Sequence, residues 1–296
     1  MMSIFPTKIL LATDGSREAE LGATTAAALA KGTDSELHVV HVGPFMPMLF
    51  SSMEEEPARM AREARKTLDG AVGQLEAAGG DVEQAHLKAG GASEEIVALA
   101  EELGAGLIVM GNRGRGGVRR ALMGSVSDSV VRHAHCPVLV VRAEPIVFPA
   151  KILVATDGSK EAELASSSAA DLAERTGSEL HVVYVGHMPP VFYESPGATT
   201  LDLDLQRRMQ ERAEEEARTR LDEQVQRVRG AGGEVAGVHA RVGRPDAEIV
   251  GLAEELGAGL IVLGSRGLGP LRSALMGSVS DSTVRHARCP VLVVRE

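Results

Sequence analysis

The stretch that decides the fold is LIVMGNRGRGGVRRALMGSVSD, residues 107–128. It runs from four apolar residues into Gly111 and Gly114, then through a basic segment to Gly124 and Ser125, where a helical pattern starts. A buried strand, a glycine loop and a helix in this order are typical of a loop that wraps a polyphosphate and leads it to a helix N-terminus. The same G-x2-G-x9-G-S pattern returns 153 residues later at Gly264, Gly267, Gly277 and Ser278, so two such sites are predicted.

The repeat extends over the whole chain. KILLATDGS at 8–16 returns as KILVATDGS at 151–159, and residues 95–142 differ from 248–295 at nine of 48 positions. The offset grows from 143 to 153, which places ten extra residues in the second copy. Each copy has the size of one compact domain. We therefore expect two tandem domains, residues 1–143 and 147–296.

Composition and charge exclude several classes of protein. With 296 residues, 44% of them hydrophobic, the chain can build two cores, and no apolar run is long enough for a membrane helix. The net charge of −10 argues against binding to nucleic acid or anionic membranes. No signal-peptide pattern opens the sequence, so a cytoplasmic location is expected. Cys136 and Cys289 occupy the same position in the two copies, which favours buried structural thiols over redox sensing.

Strand and helix patterns alternate along each copy. This alternation predicts an α/β fold with an open parallel sheet and helices on both faces. A ligand should then sit at the carboxyl ends of the first and fourth strands, where the strand order reverses. In the first copy we predict strands at 8–13, 36–42, 82–88, 107–110 and 137–141, and helices at 18–31, 57–78, 93–103 (with Ser93 as N-cap) and 125–134.

The glycine loop suits an anion. Gly111 and Gly114 permit positive φ and close backbone approach, and Gly124-Ser125 opens a helix whose free N–H groups attract negative charge. The hydroxyls of Ser125 and Ser127 are candidate additional donors. The alternative is that the glycines only mark turns and that Ser125 caps its helix.

Other nucleotide and catalytic motifs are missing from the sequence. Gly117 stands where a P-loop would place lysine, and Arg119 stands where a dinucleotide fingerprint would need glycine. Neither a G-x-S-x-G elbow nor an H-E-x-x-H motif is found. No lysine lies in either loop, so any catalysis on a phosphate should be weak.

Both copies resemble the universal stress proteins, specifically their ATP-binding branch, through G-x2-G-x9-G-S after the fourth strand and Thr-Asp-Gly-Ser at the first. The resemblance covers nearly the whole chain, twice. It implies a Rossmann-like, adenine nucleotide alpha hydrolase-like domain with a five-stranded sheet in each copy. It also implies ATP binding, usually with Mg²⁺ held through the phosphates, and a stress-linked regulatory role rather than metabolic catalysis.

The resemblance assigns roles residue by residue. The strand-one residues should line the nucleoside end, the residue ending strand two should face adenine, and the loop and helix start should hold ribose and phosphates. For Asp14 and Asp157 the alternative is a turn-forming aspartate before glycine. The predicted first site comprises Ala12, Thr13, Asp14, Val42, Met110, Gly111, Arg113, Gly114, Gly124, Ser125, Val126 and Ser127. The predicted second site comprises Ala155, Thr156, Asp157, Val185, Leu263, Gly264, Arg266, Gly267, Gly277, Ser278, Val279 and Ser280.

The two loops differ in charge. The first carries Arg113, Arg115, Arg119 and Arg120, whereas the second keeps only Arg266 and Arg272 and gains Pro270. If these arginines reach the phosphates, the first site should bind a triphosphate more tightly. The alternative is a solvated basic face.

Two further features concern assembly. The apolar closing strands, 138–141 and 291–294, are expected at sheet edges; in the family such strands commonly pair, so the two copies could form a pseudo-dimer within one chain. The sequence does not decide whether the whole chain also forms a homodimer. The insertion predicts a surface loop at 187–200 and a long charged helix at 201–229.

Three functions are consistent with the sequence. The first is a nucleotide-binding regulator. The second is a slow ATPase, and the third is an interaction or chaperone-like module that holds AMP or another adenine nucleotide.

Overall fold

The computed structural model describes residues 8–44, 55–114, 123–148, 150–186, 200–230, 233–267 and 276–295. Within these ranges strands and helices alternate in both halves, as the sequence predicts. The first half contains β1 (Lys8–Thr13), α1 (Arg17–Thr33), β2 (Glu36–Gly43), α2 (Glu55–Ala77), β3 (Val82–Ala89), α3 (Ala92–Leu103), β4 (Leu107–Gly111), α4 (Ser125–His133) and β5 (Val138–Val141). The second contains β6 (Lys151–Ala155), α5 (Lys160–Thr176), β7 (Glu179–Gly186), α6 (Thr200–Gly230), β8 (Gly237–Val242), α7 (Pro245–Leu256), β9 (Leu260–Gly264), α8 (Ser278–His286) and β10 (Val291–Val294).

Each half forms the doubly wound parallel sheet expected from the alternation. The strand order is β3-β2-β1-β4-β5 in the first half, and the second half has the equivalent order β8-β7-β6-β9-β10. β1 pairs in parallel with both β2 and β4, so the chain reverses direction across the sheet between β1 and β4. The loops after these two strands therefore open into one crevice at their carboxyl ends.

The two halves share a single ten-stranded sheet. β5 pairs antiparallel with β10, with Leu139 opposite Leu292 at the centre of the pairing. Both strands are buried along their whole length. The predicted intrachain pairing of the closing strands is present, and it removes two apolar edges that would otherwise be exposed.

The core consists of two apolar layers, one on each face of this sheet. Alternate strand residues point to opposite faces, so Ile9 and Leu11 belong to one layer and Leu10 and Ala12 to the other. All four are almost completely buried. This explains why the strands are apolar at successive positions rather than at every second one.

Helix ends show one error of the sequence-based prediction. Ser93 was expected to cap α3, but the helix begins at Ala92, and its N-cap is Gly91, which provides no side-chain bond. The long charged helix predicted at 201–229 is confirmed as α6, which has 31 residues against 23 in its counterpart α2. Of the surface loop predicted before it, residues 187–199 lie outside the described residues.

Cys136 and Cys289 lie just before the closing strands as free thiols. Burial raises the pKa of each thiol to about 11. At neutral pH both are therefore protonated and poorly nucleophilic, which favours the structural reading of these residues. None of the described helices is both long and apolar enough to cross a membrane.

Candidate functional site

A cavity of about 860 Å³ lies at the carboxyl ends of β1, β2 and β4 and at the start of α4. The structure brings all twelve residues predicted for the first site to its wall. They are Ala12, Thr13, Asp14, Val42, Met110, Gly111, Arg113, Gly114, Gly124, Ser125, Val126 and Ser127.

Other lining residues were not predicted. Helix α2 contributes Met60, Glu63, Ala64 and Thr67, and α3 contributes Ala92 and Ile96. The periodicity of α2 indicates which face is apolar, but it does not show that this face continues past the core to the cavity. The remaining additions are Ala19, Val40, His41, Pro44, Met123, Asp128 and Arg285.

Asp14 holds the turn after β1 with one oxygen and faces the glycine loop with the other. Its Oδ1 accepts a hydrogen bond from the backbone N–H of Ser16 at 3.0 Å. A Cβ on Gly114 would lie 2.2 Å from Asp14 Oδ2, so the loop passes directly over this oxygen. Asp14 thus both forms the turn and lies at the cavity.

The loop glycines are required by packing, not by an unusual backbone conformation. Neither Gly111 nor Gly114 has positive φ, so that part of the prediction is wrong. A Cβ on Gly111 would come within 2.7 Å of the backbone carbon of Glu18. Gly111 therefore allows α1 to approach the end of β4, and Gly114 allows the loop to approach Asp14.

Helix α4 begins at the cavity with free backbone donors. Its N-cap is Gly124, with no side-chain cap, and the first helical acceptor bond runs from Asp128 N–H to Gly124 O. Ser125 is thus the first helical residue, and the proposal that it caps the helix is wrong. The N–H groups of residues 125–127 precede that first bond and have no acceptor within the helix.

The hydroxyl of Ser127 already donates a hydrogen bond within the protein. It is buried and donates to the carbonyl of Asn112 at 2.8 Å, while Gly124 N–H donates to the same carbonyl at 2.9 Å. These two bonds clamp the ends of the glycine loop together. Ser127 therefore positions the loop with its side chain and offers only its backbone N–H to a ligand. Of the four arginines expected in this loop, Arg115, Arg119 and Arg120 lie outside the described residues.

Comparison with known proteins agrees with the repeat and the fold. A profile of the universal stress protein family matches residues 6–142 and again residues 150–295. A universal stress protein of Mycobacterium tuberculosis is 33% identical over 318 residues, covering 97% of each chain. The chain belongs to the universal stress protein family. A second family member, from Mycolicibacterium smegmatis, is 30% identical over 304 residues, covering 97% of this chain and 96% of its own.

Solved structures show the same family fold. The crystal structure of a universal stress protein from Archaeoglobus fulgidus has a TM-score of 0.68 and 27% identity, and the match covers 98% of this chain and 96% of that one. The fold of this universal stress protein is therefore shared over nearly the whole length of both chains.

The second repeat of this universal stress protein holds its predicted residues in an equivalent arrangement. Asp157 Oδ1 accepts from Ser159 N–H at 2.9 Å, and a Cβ on Gly267 would lie 2.3 Å from Asp157 Oδ2. Gly277 N–H donates to the carbonyl of Ser265 at 2.8 Å, as Gly124 does to Asn112, whereas Ser280 donates to the carbonyl one residue earlier, that of Gly264, at 2.7 Å. The set comprises Ala155, Thr156 and Asp157 at the end of β6, Val185 on β7, Leu263, Gly264, Arg266 and Gly267 from β9 onward, and Gly277, Ser278, Val279 and Ser280 at the start of α8. Pro270 and Arg272 lie outside the described residues.

The side chains beside the turn after the first strand differ between the two repeats. In the second repeat the buried side chain of Gln224 on α6 lies against the first-strand turn, where the Thr156 hydroxyl donates to Gln224 Oε1 at 3.5 Å. The equivalent residue in the first repeat is Ala71, which has no polar group to offer Thr13. In the first repeat a different side chain contacts this turn, because His41 Nδ1 lies 2.8 Å from the carbonyl oxygen of Thr13.

Positive charge lies on and near the wall of the first site, because Arg113 lines the cavity and Arg142 lies close to Arg113. Burial, together with the charge of Arg113, lowers the pKa of the Arg142 guanidinium. The buried Nε of Arg113 has no hydrogen-bond partner among the described residues. A guanidinium close enough to lower the pKa of a second one marks a positively charged environment, which suits an anion.

Proposed function

We propose that this universal stress protein binds adenine nucleotides, with ATP as the principal ligand of the first repeat, and acts as a regulator whose state depends on that ligand. The observation that carries the proposal is the convergence of all twelve predicted residues on one cavity of about 860 Å³. A cavity of this size falls within the range of small-molecule and cofactor sites.

The residues that line the first cavity suit the base, the ribose and the phosphates of ATP. Val40, Ile96 and Met110 provide apolar surface for a base, and Asp14 provides acceptors for ribose or base donors. The free N–H groups at the start of α4 and the guanidinium of Arg113 suit phosphates. Among the described residues no group of three His, Cys, Asp or Glu side chains could hold a metal ion. Mg²⁺ would accompany the nucleotide, held through its phosphates.

The second repeat is proposed to bind the same class of ligand more weakly. Its loop has fewer arginines, and Gln224 lies against Thr156 at the nucleoside end. A matched pair of variants tests this difference. Gly114→Ala and Gly267→Ala place a Cβ 2.2 and 2.3 Å from the equivalent aspartate oxygens, so each should damage one site to a similar degree.

Titration calorimetry with ATP checks whether the first site binds ATP more tightly than the second. If the first site is the tighter one, Gly114→Ala removes the high-affinity phase, and Gly267→Ala leaves it intact. Equal residual affinities in the two variants would contradict the ranking. Saturating ATP without any heat or thermal shift in the wild-type protein would contradict nucleotide binding itself.

Two alternatives are separated by simple measurements. Denaturing the purified protein and identifying released nucleotides by mass spectrometry shows whether AMP or another adenine nucleotide occupies the site instead of ATP. Phosphate release above a no-protein control, lost in Asp14→Ala, would favour a slow ATPase. We further propose a cytoplasmic location, supported by the two cysteines that carry free thiols.

A further inference from the structure

A residue of the second repeat lines the ligand cavity of the first. Arg285, on the last turn of α8, contributes to the cavity wall beside Asp128 on α4. The two belong to a cluster at the junction of the repeats, which we call the arginine–aspartate tetrad: Asp128, Arg132, Asp281 and Arg285.

The tetrad is nearly symmetric between the repeats. Arg285 donates from Nε to Asp281 Oδ2 at 2.8 Å and from Nη2 to Asp128 Oδ1 at 2.5 Å. Arg132 mirrors it, donating from Nε to Asp128 Oδ2 at 3.0 Å and from Nη2 to Asp281 Oδ1 at 2.6 Å. Of the two arginines only Arg285 lines the first cavity, beside Asp128; Arg132 lies in a separate groove with Ser265 and Arg266.

The bonds of Arg285 leave part of its guanidinium available. They use Nε and Nη2, so the two N–H groups of Nη1 are not engaged in the tetrad. The side chain is 29% exposed. It can therefore hold Asp128 and still present donors to the cavity, because a guanidinium carries five N–H groups in a fixed plane.

Asp128 places a negative charge on the wall of a cavity proposed to hold an anionic ligand. Its carboxylate lies in the first turn of α4, in the same turn as the free N–H groups of residues 125–127. An unpaired carboxylate there would repel phosphate. Arg132 opposes that charge from α4 itself, and Arg285 opposes it from the other repeat.

We propose that Arg285 of the second repeat is a phosphate-recognition residue of the first repeat's nucleotide site. It neutralises Asp128 and directs its remaining donors to the distal phosphates. The first site is then completed only when the two repeats are assembled. This inference rests on the proposed function, since it concerns how the same site distinguishes a triphosphate from an uncharged nucleoside.

A second link connects the same elements. Arg142 donates from Nη2 to Asn112 Oδ1 at 2.8 Å and from Nη1 to the backbone carbonyl of Arg285 at 2.7 Å. Asn112 in turn anchors the glycine loop through its carbonyl. The backbone that carries Arg285 is thus fixed to the loop that would surround the phosphates.

The test uses the full chain with a substitution that blocks ligand binding at the second repeat's site. Gly277→Val serves this purpose, because Gly277 has ordinary φ of −72° and a Cβ there would meet no atom closer than 3.5 Å. The fold should tolerate the side chain, while its methyl groups obstruct the start of α8. In this background, Arg285→Gln, Arg285→Lys and Arg132→Gln are titrated with ATP and with adenosine. Arg132→Gln is the matched control, since it removes the other arginine partner of Asp128 but no donor that lines the first cavity.

We expect Arg285→Gln to weaken ATP binding by about ten- to a hundredfold, the range of one charge-assisted contact, and to leave adenosine binding unchanged. Arg285→Lys should give an intermediate loss, because lysine keeps the charge but not the planar fork. Arg132→Gln should lose much less ATP affinity than Arg285→Gln, because it removes one partner of Asp128 but no donor that lines the cavity.

Three results would overturn the inference: unchanged ATP affinity in Arg285→Gln, equal losses for ATP and adenosine, or the same loss of ATP affinity in Arg132→Gln. The last two would assign Arg285 a purely structural role. If the background protein itself bound neither ATP nor adenosine, the proposed function would fail first, and the inference with it.

Discussion

At the end of β1, the two carboxylate oxygens of Asp14 face different neighbours, and one substitution can separate their effects. Asp14→Asn keeps an oxygen that can accept from Ser16 N–H, so we expect the free energy of unfolding to change by no more than about 0.5 kcal/mol. Replacing the charged acceptor with an amide should weaken both ATP and adenosine about tenfold. Calorimetry and urea denaturation of the same preparation measure the two effects.

Asp14→Ala is the control for that pair of measurements. It removes the turn bond as well, so it should lose stability in addition to affinity. An Asp14→Asn variant that binds adenosine as tightly as the wild type would show that Asp14 only forms the turn.

Gly111 offers a different test, because its role is packing. Gly111→Ala would put a Cβ 2.7 Å from the backbone of α1, which cannot move like the end of a side chain. We expect a loss of about 1–3 kcal/mol in the free energy of unfolding, as for other overpacked sites. Gly73→Ala is the control: it lies within α2 with no atom within 4 Å of its Cβ, and it should stabilise the protein by about 0.5–1 kcal/mol. Equal urea midpoints for the two variants would refute this account of Gly111.

At the scale of elements, helices α4 and α8 are each capped by an arginine from the opposite repeat. Arg142 donates to the carbonyls of Val284 and Arg285 at the end of α8. Arg295 donates in the same way to the carbonyls of Val131, Arg132 and Ala134 at the end of α4. Each repeat thus satisfies the orphan acceptors of a helix in the other.

Removing one of these caps should destabilise the whole chain. Arg142→Ala leaves these partly buried carbonyls without the arginine donors, and we expect a loss of about 1–3 kcal/mol in the free energy of unfolding, measured by urea denaturation. Arg59→Ala, which removes an exposed ion pair on α2, should leave the denaturation curve unchanged. If Arg142→Ala behaved like Arg59→Ala, the cross-capping bonds would contribute nothing to stability.

At the scale of the molecule, the sequence predicts the features that depend on neighbouring residues or on the repeat. The strand KILLAT was predictable with its exact bounds because six residues in a row suit a sheet that is buried on both faces. The convergence of Asp14 with Gly114 followed from topology, since parallel strands end at one edge. Arg285 could not be found this way, because it enters the first cavity from 157 residues beyond Asp128. Nor does any pattern show that Gln224 would contact Thr156.

The junction of the repeats is self-complementary, and this leads to a prediction about either half produced alone. Each repeat carries one copy of every interacting element: a closing strand, an aspartate–arginine pair (Asp281 and Arg285 in the second) and a capping arginine, Arg295. Two copies of residues 150–295 can therefore recreate the β5–β10 pairing and the tetrad around a two-fold axis. In the whole chain these surfaces are occupied, so a homodimer of it would need another surface.

We expect the isolated second repeat to be a dimer at micromolar concentration in sedimentation equilibrium. Without a partner, its buried closing strand would become an exposed apolar edge. Arg285→Glu in the same fragment would bring four carboxylates together at the junction, and it should yield monomers because like charges at this distance repel. A folded wild-type fragment that stayed monomeric would show that the covalent link between the repeats, rather than their complementary surfaces, holds the two halves together.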